Sequence, residues 1–189
     1  MANTIPRTFE NSSDLPKPAP EKPQQSVETK PTDPNQNLPQ ASQFIQSANW
    51  VLINESQKIG TACNHFVMRV LQVSGFFFAN FMANDFDLYA KKYFSTYKAV
   101  DFKIDKTGSE ITRLKLHLMS YPERTPFIMQ WSRSGVHGHI AIVERIQEQL
   151  IIYQANLNKS TAQKDQTTVQ TLLSGFNRRK LTVYSDFKK

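Results

Sequence analysis

The spacing of apolar residues changes once along the chain, and the change separates a helical half from a strand half. Phe44, Ala48, Val51 and Leu52 recur at helical spacing and predict a helix over about 41–56. Gly60-Thr61 interrupts that pattern. Cys63, Phe66, Val67, Val70 and Leu71 then fall at i, i+3, i+4, i+7 and i+8, one face of a second helix. Thr61 is its expected N-cap and Ser74-Gly75 its stop. Residues 76–100 are rich in aromatics and partly helical, with one short helix over 85–94. Ile111, Leu114 and Leu118 share a face of another helix over 109–119. From Pro126 onward the pattern is that of short buried strands, at 126–131, 138–144, 150–155 and 180–184, with a polar loop and a helix at 166–174 before the last. Helices first and an antiparallel meander afterwards imply an α+β fold, with N-terminal helices packed on the sheet.

Residues 1–40 break with all of this. They hold eight of the ten prolines among Gln, Asn, Ser, Thr, Lys and Glu, with few large apolar side chains. Such a stretch buries too little apolar area to offset its ordering entropy, so a disordered Pro-rich tail is expected ahead of a folded domain at 41–189. Its start, Met1 to Arg7, has no apolar h-region, and no secretory signal peptide is expected. No apolar run approaches the ~18 residues a membrane-spanning helix needs.

The net charge is +7, and residues 1–42 carry four basic against five acidic side chains, so the excess sits in the folded part. A basic surface attracts polyanions without choosing among nucleic acid, anionic lipid and an acidic wall polymer. Nucleic-acid binding is the weakest of these readings. No known module is present, and the aromatics of 76–97 are expected in the core.

One cysteine among 189 residues excludes an intrachain disulfide and a Cys-rich zinc site. The predicted position of Cys63, at the start of the second helix, gives that cysteine its interest. Unpaired backbone N–H groups and the positive end of the helix dipole both favour a thiolate there. A nucleophilic thiolate needs a base within hydrogen-bond reach and a group that orients the base. His65 points some 200° away from Cys63 on its own helix, and His117 lies in a helical segment without polar company. His137 and His139 remain, and spacing alone does not separate them. If 139–146 and 149–156 form a hairpin, His139 lies opposite the end that carries Gln154 and Asn156. An amide oxygen from either could accept the imidazole Nδ1–H.

These residues carry a resemblance. Thr61-Ala62-Cys63-Asn64-His65-Phe66-Val67, Gly138-His139-Ile140-Ala141-Ile142-Val143 and Tyr153-Gln154-Ala155-Asn156-Leu157-Asn158, in that order, resemble the CHAP branch of the NlpC/P60 cysteine peptidases. The resemblance covers roughly 58–157 and implies a papain-like core. It implies Cys63 as nucleophile, His139 rather than His137 as base, and Gln154 or Asn156 as orienter. Asn64, Trp131 and His137 stand nearby as expected substrate contacts. The family often has an acid where Gln154 stands, and its Gly-Asp before the strand preceding the histidine is replaced by Arg124-Thr125-Pro126.

The implied activity is hydrolysis of an amide bond in bacterial peptidoglycan peptides, with no metal or organic cofactor. With no signal peptide expected, that activity suggests a phage-type lysin or an antibacterial effector. It would be made in the cytoplasm and delivered by a route other than general secretion, to act in a periplasm or target cell. The tail would then serve as leader or secretion-machine docking segment, and a toxin of this kind would need an immunity or inhibitor protein. Two other readings use the same residues: an effector acting on a host protein through a Cys-His-Gln site, and a binding protein on a degenerate scaffold.

Overall fold

A computed structural model describes residues 40–104, 108–133, 138–156, 159–173 and 178–188. The expected tail at 1–40 lies, but for Gln40, outside them, as does His137. The elements run α1 (Gln40–Ile59), α2 (Cys63–Val73), a 3-10 turn (Ala83–Asp85), α3 (Phe86–Tyr93), β1 (Thr96–Lys103), α4 (Gly108–Met119), β2 (Pro126–Arg133), β3 (His139–Ile146), β4 (Gln149–Gln154), β5 (Gln163–Thr167), α5 (Val169–Leu172) and β6 (Arg178–Lys188). No helix among the described residues is long and apolar enough to cross a membrane.

The fold is α+β around one six-stranded sheet, ordered β1-β6-β2-β3-β4-β5, with every neighbouring pair antiparallel. It is not the simple meander that the order of strand signals suggests, because β6 inserts between β1 and β2. Two of the strands escape the apolar pattern. β1, at 96–103, is mostly exposed and was covered by the partly helical reading of 76–100. β5 carries Gln163-Lys164-Asp165-Gln166-Thr167, a polar edge strand where a loop and helix are expected. Only the four-residue α5 remains of that helix. Both strands lie at sheet edges, where no buried face imposes an apolar alternation.

The sheet is covered on both faces, and β2 and β3 are buried along most of their length. On one face α1 and α2 pack through Phe44, Val51, Phe66, Val67, Val70 and Leu71 against Ile128, Ile140, Ile142, Tyr153 and Tyr184. The aromatics expected in the core at 76–97 join this layer, with Phe76, Phe78, Phe81, Phe86 and Phe94 all buried. On the other face α4 and α5 bring Leu114, Leu118 and Leu172 onto Phe127, Met129, Trp131, Ala141 and Val143. Burying each large side chain contributes about 1.5–3 kcal/mol relative to leaving it exposed. The two layers together hold α2 and β3 in fixed register, which positions the site.

Candidate active site

Cys63 is the first residue of α2. Ala62, not Thr61, is the N-cap, with extended backbone (φ −82, ψ 96) and no side-chain hydrogen bond to the helix. The helix start is held instead by packing and by Asn64, whose Nδ2 donates to Phe81 O at 2.6 Å and to Asn80 Oδ1 at 3.3 Å. Asn64 therefore ties the 80–81 segment to the helix, and its amide N–H groups are engaged inside the protein.

The Cys63 thiol is partly buried and packs against the α1–α2 core layer. Burial is the largest influence on it and pushes its pKa up. Backbone amides of Ile140, Asn64 and Cys63 itself, with the Arg133 guanidinium, pull the other way without overcoming it. The ready-made thiolate expected from a helix N-terminus is thus corrected. The amides are there, but desolvation of the charged form outweighs them.

The Ile140 amide, on the residue after His139, is one of the backbone groups that pull the Cys63 pKa down. Registered pairing of β3 with β4 begins only at Ile142 and Tyr153.

His139 pairs with Trp131 across β2 and β3, so both side chains share the α4–α5 face of the sheet. Their rings lie 5.3 Å apart. The imidazole is buried at 8 % exposure. Its Nε2 is 2.7 Å from Gln154 Oε1. Continuing the β3–β4 register would put Asn156 opposite His139, and the longer Gln154 reaches it diagonally. Of the two candidate orienters Gln154 is hydrogen-bonded to the imidazole, and it meets Nε2 rather than the expected Nδ1. Asn156 lines the cavity beside them.

Trp131, an expected substrate contact, lines the cavity beside His139 while staying almost fully buried. It is 1 % exposed, and its Nε1–H donates to Leu172 O at 2.6 Å. It forms the floor under the imidazole. Gly138 sits in a close approach, where any side chain would require Asn84 to move. A Cβ there would collide with Asn84 Oδ1 and lie 3.1 Å from Trp131 O. The 3-10 turn that carries Asn84 is held on the sheet by Gln130, whose Nε2 donates to Ala83 O at 2.6 Å while Tyr184 O–H donates to its Oε1 at 2.8 Å.

Asp165 is the member that the sequence did not disclose. Its Oδ2 accepts from Gln154 Nε2 at 3.1 Å and also from Gln163 Nε2. The signal that could have found it is a lone acid in the strand after Gln154, but that strand has no apolar pattern to reveal it. A cavity of about 220 Å³ opens beside this group, lined by Trp131, His139, Gln154, Asn156, Asp165 and Thr171 among others.

The remaining histidines stand apart. His65 is exposed on α2. His117 sits among the Phe102, Tyr121 and Phe127 rings, and burial holds its pKa below the usual range. Among the described residues no group of three or more His, Cys, Asp or Glu side chains could hold a metal ion. The polar groups that are hydrogen-bonded in sequence are an imidazole, an amide and a carboxylate.

No protein-family model matches this chain. No curated protein matches it either. Among solved structures, the Pseudomonas avirulence protein AvrPphB is similar at a TM-score of 0.37 and 8% identity, over 79% of this chain and 72% of that one. A likeness that low carries no weight for fold or function.

Proposed function

We propose that the chain is a cysteine hydrolase with a papain-like core that cleaves an amide bond, with Cys63 as nucleophile, His139 as general base and Gln154 as orienter. The observation that supports it is the hydrogen bond of His139 Nε2 with Gln154 Oε1 at 2.7 Å, on the strand next to Ile140, whose layer also holds Cys63 at the start of α2. With Nε2 bonded to Gln154, Nδ1 is the nitrogen that takes the thiol proton. The sulfur attacks the amide carbonyl as that proton leaves. The imidazolium then gives the proton to the departing amine, and a thioester to Cys63 remains. Water that loses a proton to Nδ1 hydrolyses it and restores the thiol. A thiol whose pKa burial raises rests in the neutral form, so the base does work that a pre-formed thiolate would not require.

The substrate class we favour is a peptidoglycan stem or bridge peptide, which the basic surface suits as part of an anionic wall. Delivery outside general secretion, docking through residues 1–40 and an immunity or inhibitor protein belong to this reading. A neutral Gln154 in place of an acid favours a second reading, action on a host protein by the same site as protease, deamidase or acyltransferase. Purified peptidoglycan incubated with the protein, its products read by mass spectrometry, separates the two. Peptides released by wild type and not by Cys63→Ala support the wall reading. Intact peptidoglycan alongside a thiol that reacts in folded protein supports the second.

A further inference from the structure

We infer that Asp165 determines which nitrogen of His139 carries the proton, acting through Gln154 as a positioning residue. The inference rests on the proposed use of His139 as base and deepens it.

The steps follow from donor and acceptor chemistry alone. An ionised carboxylate only accepts hydrogen bonds. The end of the Gln154 amide that faces Asp165 Oδ2, at 3.1 Å, must therefore be the NH2 group. The other end, the carbonyl oxygen, then faces His139 Nε2 at 2.7 Å. A carbonyl oxygen also only accepts, so Nε2 must hold the ring proton. In the neutral imidazole Nδ1 is then the unprotonated nitrogen. Gln163 Nε2 donates to the same Asp165 oxygen and fixes the carboxylate from its other side. Register supports the relay, since Gln154 pairs with Gln163 and Ile152 with Asp165 across β4 and β5. A polar edge strand thus supplies an acid one residue further from the imidazole than a Cys-His-Asp arrangement would place it. The neutral amide at 154 transmits the direction of the hydrogen bond without bringing a second charge to the ring.

The experiment reads the ring nitrogens of His139 by 15N chemical shift in full-length labelled protein above the imidazole titration. Wild type should show the Nε2–H tautomer. In Asp165→Asn the side chain both donates and accepts, Gln154 is free to turn, and the tautomer ratio should move about fivefold toward Nδ1–H, the size one net hydrogen bond carries. Asp165→Glu keeps the charge and should restore the wild-type ratio. If Asp165→Asn does not fold, Gln154→Leu removes the relay and should shift the ratio in the same direction. An Nδ1–H tautomer in wild type overturns the inference, as does an unchanged ratio in Asp165→Asn or Gln154→Leu. Loss of the proposed hydrolysis is a separate outcome. If Cys63 proves inert while the tautomer still follows Asp165, the relay stands and the enzymatic reading falls.

Discussion

The two faces of the sheet contribute different things to one site. The α1–α2 face supplies the thiol, carried on a helix locked by Phe66, Val67, Val70 and Leu71. The α4–α5 face supplies the imidazole, with Trp131 beneath it and Gln154 and Asp165 behind it. Along β3 the two sets are one residue apart: Ile140 belongs to the layer that carries the thiol, and His139 faces the other. The lesson is that successive residues of one buried strand can serve layers on opposite faces of a sheet. On the proposed reading one face carries the nucleophile and the other the base, and each can be perturbed separately.

The sharpest separation comes from the thiol itself. Cys63→Ala should abolish amide hydrolysis, a loss of at least about a thousandfold. Its melting temperature should stay within a few degrees of wild type, because only one partly buried sulfur is removed. Residual turnover at more than a hundredth of wild type would break the assignment of the nucleophile to the α1–α2 face.

Cavities in the two layers should differ in what they disturb. Phe66→Ala, in the helix that carries Cys63, should cost about 3–5 kcal/mol, and Leu114→Ala on the opposite face about 2–5 kcal/mol. Denaturant melts measure both. Only the first should alter the rate at which Cys63 is alkylated in the folded state. Equal changes in both variants would mean that the faces are not independent.

Gln154→Ala leaves His139 Nε2 without its acceptor. Hydrolysis should fall by about tenfold or more, with the thermal midpoint little changed. Asn156→Ala, whose side chain lines the cavity, should fall less. A reversed order would move the orienting role to Asn156.

The smallest effects concern pH, and the two faces should respond at opposite ends of the scale. His117, on the α4 side, has its pKa lowered by burial and then by Arg113. The unfolded chain binds that proton more readily, so its contribution to stability is present above the ordinary imidazole range and lost as pH falls through the folded value. His117→Phe should flatten the decline in melting temperature between pH 7 and pH 5. Cys63 has its pKa raised, so its contribution is present below the ordinary thiol range and lost as pH rises through the folded value. Cys63→Ala should flatten the alkaline decline in the same way.

The parts of the fold legible in the sequence are those with a buried face. The α1 and α2 stripes, the stop at Ser74-Gly75 and the buried runs of β2, β3 and β4 follow from apolar period alone. Gly75 has φ +80, the conformation that a glycine after a helix permits. What escaped had no such face. β1 and β5 are exposed edges, and Asp165 went unseen with β5. Trp131 shows the converse limit. Its pairing with His139, which places it beneath the ring, depends on strand register that the aromatic alone does not reveal. The state of the Cys63 thiol was hidden for another reason. Local rules describe the helix dipole, whereas burial depends on the layer that α2 packs against, and here burial is the larger influence.

The central claim is that thiol and imidazole act as one unit. Because Cys63 is the chain's single cysteine, its alkylation can be followed without ambiguity in folded protein. The direct measurement compares iodoacetamide rates for wild type and His139→Asn near pH 7.5. The account predicts that the variant reacts at least about tenfold more slowly, because the thiol has lost the base that takes its proton. Equal rates in two equally folded proteins would contradict it.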